Sequence, residues 1–301
     1  MISITNISKK YGEVTALSDI NLEINQGELF GLIGPDGAGK TSLLRILTTV
    51  LLADSGEAKL DNLDVVADYQ LIRQRVGYMP GKFSLYQDLS IEENLEFFAT
   101  VFNTTIEENY DLIKDIYVQI EPFKKRRAGA LSGGMKQKLA LCCALIHRPS
   151  VLLLDEPTTG VDAVSRKEFW EMLQRLKAHN ITIFVSTPYM DEASLCDRVA
   201  LIQGGKILSV GTPDDIAASF PYRLYGIKSE RIYPLLQDLR TCEGVHSVHP
   251  FGEYLHVSLL QNADLEEIIS FLKQKNHTQI EVVQVEAGIE DVFMELMWYI
   301  I

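Results

Sequence analysis

Gly34-Pro35-Asp36-Gly37-Ala38-Gly39-Lys40-Thr41 fits G-x-x-x-x-G-K-[ST], and its flanks decide how that fit is read. Ahead of it, Leu29-Phe30-Gly31-Leu32-Ile33 is a short apolar run of the kind that forms a buried strand. Behind it, Ser42-Leu43-Leu44-Arg45-Ile46-Leu47 reads as the first turns of a helix. Glycines let the backbone curl so that several N–H groups point inward, and with a helix N-terminus they cradle a polyphosphate. In such a loop Lys40 reaches the β- and γ-phosphates, and the Thr41 hydroxyl is placed as a Mg²⁺ ligand. A Gly-rich turn that matches by chance has no reason to sit between a strand and a helix in register. The stretch predicts a nucleotide-binding site.

A second stretch, Val151-Leu152-Leu153-Leu154-Asp155-Glu156-Pro157, complements the first. An unbroken aliphatic run implies a strand buried on both faces of a parallel sheet, and this one ends in two carboxylates where such sheets bind ligands. Asp155 is placed to hold the Mg²⁺ shell, and Glu156 to orient or deprotonate a water. Residues 181–186 form another β-branched strand, and residues 199–202 and 206–210 flank a Gly204-Gly205 hairpin turn. Residues 2–33 alternate apolar and polar positions, with turns at Tyr11-Gly12 and Gln26-Gly27, predicting an antiparallel sheet that leads into the phosphate loop. Tyr11 is either a stacking platform for an adenine ring or a plain turn tyrosine. From Ser90 to His147 the pattern is helical. Ser90 and Glu93 make a capping box, and Leu95, Phe98, Ala99 and Phe102 follow at helix spacing. Within this segment Leu131-Ser132-Gly133-Gly134-Met135 precedes a long apolar helix, a second helix start able to hold an anion, although S-G-G is also common in loops.

Composition narrows the classes. Lys and Arg number 28 against 41 for Asp and Glu, and the net charge of −13 argues against nucleic acid as a partner. Cys142, Cys143, Cys196 and Cys242 lack C-x-x-C spacing and fit reduced cytosolic thiols better than a disulfide framework or a zinc site. Met1-Ile2-Ser3-Ile4 begins a strand pattern directly, without a signal peptide. No apolar run approaches the ~18 residues of a membrane span, so work at a membrane calls for a span from another chain.

Taken together, residues 2 to about 215 resemble the nucleotide-binding subunit of an ABC transporter. In that family residues 34–41 are the Walker A loop, 131–135 the signature and 151–156 the Walker B strand, and Asp162 in Thr158-Thr159-Gly160-Val161-Asp162 matches the D-loop. The resemblance implies an α/β P-loop NTPase over residues 1–220, with an antiparallel β-subdomain and a helical subdomain at about 88–147. It implies ATP and Mg²⁺ as cofactors. Tyr11 would stack on adenine, Ser42 and residues 34–41 would surround the phosphates, and Lys40 and Glu156 would be catalytic. Thr41 and Asp155 would hold the metal, and Ser132, Gly133, Gly134 and Asp162 join the nucleotide-binding set. The family fold implies a head-to-tail dimer, with each ATP between one subunit's Walker loop and the other's signature. The loop's form and the long C-terminal extension are most similar to bacterial export-type members, especially the amino-terminal half of tandem efflux ATPases. Such a subunit is cytoplasmic, peripheral on the inner face of the plasma membrane, and drives a separate integral membrane permease. By the same resemblance Lys82-Phe83-Ser84-Leu85-Tyr86-Gln87-Asp88 receives a helix of that permease, with Phe83 and Tyr86 as anchors; the alternative is that they pack inward as helical-subdomain core.

Two positions depart from the pattern. After Gly77-Tyr78-Met79-Pro80 the family has a glutamine, and here it is Gly81; after Ser186-Thr187 it has a histidine that contacts the γ-phosphate, and here it is Pro188. Proline has no N–H and no side-chain donor. Losing one well-placed donor to developing charge costs about 10²–10³ in rate. The expectation is a site that binds Mg-ATP but hydrolyses it slowly, its intact signature completing a competent site on a second, different ABC ATPase subunit. The alternatives are a non-hydrolysing regulatory subunit and a fully active homodimer in which a water or a neighbouring side chain replaces the missing donors. A soluble ABC protein of DNA repair or translation is disfavoured by the acidic charge and by the lack of a basic or zinc-bearing insertion.

Residues 221–301 read as a separate α+β domain. Strands at 222–228, 244–249, 253–259 and 280–285 and helices at 230–241 and 264–275 give a β-α-β-β-α-β order, predicting a small ferredoxin-like domain. A closing helix places Ile289, Val292, Phe293, Leu296 and Ile300 on one stripe, expected to dock on its own domain; membrane or dimer contact through Met297, Trp298 and Ile301 is the alternative. His246, His249 and His256 are expected to be packed or solvated rather than metal ligands, and Lys124-Lys125-Arg126-Arg127 to be a solvated edge.

Overall fold

A computed structural model of the chain describes residues 1–81 and 85–298; Phe83, Ile300 and Ile301 lie outside them. The alternating N-terminal segment folds as Ile2–Tyr11 (β1) and Val14–Ile24 (β2), paired antiparallel. Leu29–Ile33 (β3), buried at every position, leads through the phosphate loop into Lys40–Leu47 (α1). Ser55–Leu60 (β4) and Leu63–Asp64 (β5) complete the first sheet in the order β2-β1-β4-β5. Tyr69–Arg75 (α2) then runs into Val76–Met79 (β6).

Three helices follow, Ile91–Val101 (α3), Tyr110–Tyr117 (α4) and Gly133–Leu145 (α5). The capping box is present: Ser90 Oγ accepts from the Glu93 N–H and Glu93 Oε2 from the Ser90 N–H. Asn94, fully buried, donates its amide to the carbonyls of Tyr86, Leu89 and Ser90 and so pins the segment ahead of α3. Val151–Asp155 (β7), Ala163–Leu176 (α6), Thr182–Thr187 (β8), Arg198–Gln203 (β9), Lys206–Gly211 (β10) and Pro213–Ala218 (α7) finish this part.

The second sheet runs β10-β9-β3-β8-β7-β6, parallel except for the β10 edge. Strands β3, β7 and β8 lie inside it and are buried throughout, which is why β3, β7 up to Asp155 and the middle of β8 are apolar runs rather than alternating ones. Ile2, Ile4 and Ile20 of the first sheet, Leu43, Leu44 and Leu47 of α1, and Phe30, Leu153 and Phe184 of the second share one apolar core. That core fixes β3, β7 and β8 side by side, so their carboxyl ends meet at one place.

The chain divides into two compact units, Met1–Asp214 and Asp215–Ile301. The second unit contains Arg223–Lys228 (β11), Ile232–Leu239 (α8), Val245–Phe251 (β12), Tyr254–Leu259 (β13), Leu265–Gln274 (α9), Glu281–Val285 (β14) and Ile289–Trp298 (α10). Its sheet runs β12-β13-β11-β14, antiparallel throughout, the ferredoxin-like arrangement. Ile227, Leu235, Leu239, Val257, Ile268 and Leu272 form its core. Helix α10 buries Ile289, Val292 and Phe293, and it is joined to the sheet by His246 with Glu295 (3.0 Å) and His256 with Asp291 (2.7 Å). His246 and His256 are thereby packed against α10.

Candidate functional site

The phosphate loop leaves β3 through backbone that only glycine permits. A Cβ on Gly34 would lie 2.1 Å from the Ile202 carbonyl oxygen. Gly39, at φ +108°, would place one 2.4 Å from that of Ala16. Asp36 and Gly37 are exposed at the loop tip, whereas Ala38 and Lys40 are buried. The Lys40 ammonium donates to the Gly34 and Pro35 carbonyls (2.7 and 3.0 Å) and pairs with Glu156 Oε1 at 3.0 Å. The loop thus holds the lysine with its own backbone, aimed at the catalytic candidate.

Asp155 and Glu156 emerge from β7 opposite Ser186 of β8. Asp155 Oδ1 accepts from the Thr41 hydroxyl (3.0 Å) and from the Ser186 hydroxyl (2.9 Å). Glu156 has a left-handed backbone, φ +50°, and its N–H donates to both the carbonyl (3.0 Å) and the hydroxyl (3.1 Å) of Ser186. This conformation is uncommon outside glycine and is over-determined here by those two bonds. Thr41 and the nearly buried Asp155 present hard oxygen donors side by side, the chemistry Mg²⁺ prefers, so the residues fit that ion.

The opposite wall is barer. Gly81, just past β6, lies so close to β7 that a Cβ would sit 3.0 Å from the Asp155 carbonyl oxygen. Pro188 follows β8 directly. The segment beyond it is fixed by the buried Glu192, which accepts from the hydroxyls of Thr158 and Thr187 and lies 3.6 Å from the Arg166 guanidinium. Sequence reasoning passed over Ser186, Glu192 and Gln137. The signal for Ser186 was a hydroxyl closing an otherwise apolar strand.

The remaining candidates lie outside this set of bonds, although Gly133 lines a cavity together with Glu156. Ser132 caps α5, its hydroxyl accepting from the Met135 N–H at 3.4 Å, with Gly133 and Gly134 in the first turn; Gly134 lies against Ser165 of α6. Asp162 caps α6, and the Ser165 and Val164 N–H groups that it accepts from hold its carboxyl below the usual range. Tyr11, about half exposed at the end of β1, has its hydroxyl 3.4 Å from Ser42 Oγ, beside the first turn of α1.

Tyr86 is likewise half exposed and packs edge-on against Phe97 at 4.6 Å, on the rim of a cavity of about 460 Å³ that Tyr78, Phe98, Phe102 and His147 also line. It is a rim residue rather than helical-subdomain core. In the basic run, Lys124 and Lys125 both pair with Glu92, at 3.1 and 2.6 Å.

Comparison with known proteins gives the family. The description "ABC transporter" matches residues 17–159. Nod factor export ATP-binding protein I of Rhizobium etli is 30% identical over 302 residues, covering 98% of this chain and 92% of the relative. The chain belongs to the ATP-binding proteins of ABC transporters. The probable multidrug ABC transporter ATP-binding protein YbhF of Escherichia coli (strain K12) is 38% identical over 220 residues, 72% of this ABC chain but only 38% of YbhF's length. Among solved structures, an ATP-binding subunit of an ABC transporter matches with a TM-score of 0.66 at 25% identity, covering 73% of this chain and 93% of that one. An ATP-binding cassette captured as a post-hydrolysis dimer with ADP and Pi matches with a TM-score of 0.64 at 26% identity, covering 70% and 98%. ABC domains of this family bind and hydrolyse ATP, dimerise and work with membrane permease components. Among the described residues no helix is long and apolar enough to cross a membrane.

Proposed function

We propose that this ABC chain powers export through a separate membrane permease, on the cytoplasmic face, and that its own site turns ATP over slowly. The observation that carries the proposal is the contact set at the ends of β3, β7 and β8, in which Lys40, Thr41, Asp155, Glu156 and Ser186 are mutually bonded. The amides of residues 34–41 hold the polyphosphate, and Lys40 exchanges Glu156 for the β- and γ-phosphates. Glu156, released, orients the attacking water and takes its proton, while Ser186 holds the Asp155 carboxylate and the Glu156 backbone in place. Thr41 and Asp155 would hold Mg²⁺, which would supply positive charge to offset the negative charge of the phosphates. Tyr11 offers its ring to the adenine.

The opposite wall limits the rate, because Gly81 supplies no side chain and Pro188 no donor to the γ-phosphate end. Ser132, Gly133, Gly134 and Asp162 would serve a different ATPase partner, which makes a heterodimer the favoured assembly. The cavity rimmed by Tyr86 suits an apolar helix of the permease. The export names of the multidrug and Nod factor relatives support the direction of transport.

Steady-state turnover and nucleotide binding of the purified chain test this reading beside Pro188→His. The expected result is ATP binding with weak turnover in the wild type, and a kcat raised about tenfold or more by Pro188→His with KM unchanged. Wild-type turnover of about 1 s⁻¹ or more without any partner would sink the slow-site reading in favour of an active homodimer. Adding Gly81→Gln is a poorer probe, since its Cβ meets the Asp155 carbonyl.

A further inference from the structure

Helix α5 runs from the Ser132 cap alongside the Walker B loop, and Gln137 on it is over nine-tenths buried. Its Nε2 donates to the carbonyl of Pro157, the residue after Glu156. Its Oε1 is buried and accepts no hydrogen bond among the described residues. A buried amide oxygen without a donor is destabilising, so such atoms in folded proteins are found bonded to water or ligand. Gln137 also lines a cavity of about 140 Å³ together with Met79, Gly81, Glu156 and Thr159. That volume holds a few waters, and the site is polar enough to keep them.

We propose that Gln137 is a positioning residue of the hydrolytic site, its Oε1 holding a water beside Glu156 where a glycine at position 81 offers no side chain. The inference rests on the hydrolytic reading above and refines it. The two atoms of one amide divide the work: Nε2 ties α5 to the loop of Glu156, and Oε1 faces the water. Because α5 is capped by Ser132, the same side chain joins the helix that follows the Ser132-Gly133-Gly134 stretch to the loop of Glu156.

Two substitutions separate the two atoms. Gln137→Leu removes both, whereas Gln137→Glu keeps an oxygen and loses the N–H to Pro157. The full-length chain is assayed for kcat, KM, Mg-ADP affinity, and the tightening of Mg-ADP by fluoroaluminate, a mimic of the transferring phosphoryl group. Expected for Gln137→Leu is a fall in kcat and in fluoroaluminate tightening by roughly tenfold to a hundredfold, with KM and Mg-ADP affinity within about twofold of wild type. Expected for Gln137→Glu is recovery of most of that loss. Equal losses in both variants overturn the proposal, since the tie to Pro157 would then be the whole role; so does a Gln137→Leu chain that matches wild type. If Gln137→Leu does not fold, a folded Gln137→Glu chain that has lost more than about tenfold overturns it. A wild-type chain that neither turns over nor tightens with fluoroaluminate brings down the hydrolytic reading and this one together, whereas active wild type with indifferent variants overturns this one alone.

Discussion

The two walls of the nucleotide site are built differently. On the phosphate-loop wall the central groups have short partners: Lys40 has two carbonyls and Glu156, and Asp155 has Thr41 and Ser186. On the facing wall Gly81 and Pro188 contribute no polar side chain, and Gln137, which lines a cavity with Gly81, has one end of its buried amide unbonded among the described residues. On the function proposed above, the first wall would hold the polyphosphate and the second would act on the bond being broken. The contrast then makes a testable demand: binding and turnover should depend on separate sets of groups, so that each can be lost alone.

The largest expected effect tests whether Glu156 belongs to the second function while standing on the first wall. Glu156→Gln is expected to lower turnover by about 10²–10⁴ while leaving ATP affinity intact, because the amide keeps the shape but cannot take a proton. Equal loss of binding and turnover, measured by fluorescent-nucleotide titration beside a phosphate-release assay, would merge the two walls into one function. Lys40→Ala is expected to do the opposite. It removes charge-assisted bonds to two phosphates and should weaken ATP binding about a hundredfold. An Ala variant that still binds ATP as wild type does would mean that the loop amides alone suffice.

How much of this was legible in the sequence follows the range of the interactions. The phosphate loop, the β7 run and the Ser90–Glu93 box are local patterns, and each stands where its residues indicated. The ferredoxin-like order was legible for the same reason, since alternation and turn residues mark each short strand. The Lys40–Glu156 pair, the bonds from Ser186 to the Asp155 carboxylate and the Glu156 backbone N–H, and the lodging of Gln137 all join residues far apart in sequence. They exist only because the parallel sheet brings β3, β7 and β8 together. Glu156's φ of +50° could not be read from its residue type, for nothing local asks a glutamate to adopt it. His246 and His256 gave no spacing signal, because their carboxylate partners come from α10, some 35 to 49 residues further on.

The smallest expected effect sharpens the comparison through pH. The facing wall's strand β6 begins at Val76, whose carbonyl bonds His147 Nε2 at 3.2 Å, while the ring stacks on Phe102 at 3.8 Å. Burial pushes the His147 pKa down to about 4, against which the Val76 carbonyl pulls weakly upward. A folded-state value below the ordinary 6.5 means that the unfolded chain takes the proton first. This contribution is therefore fully present above about pH 6.5 and is lost as pH falls toward 4, by about 2 kcal/mol at pH 5. His147→Phe keeps a ring against Phe102 but has no site to protonate. Near pH 7 it should be about 1 kcal/mol less stable than wild type, for the lost bond to Val76. Near pH 5 the order should reverse, because only wild type bears the cost of keeping a buried imidazole neutral; urea unfolding at the two pH values reads the difference. A variant whose acid sensitivity equals that of wild type would place the acid-labile group elsewhere. The strand leading to Gly81 would then be no more sensitive to acid than the phosphate-loop wall.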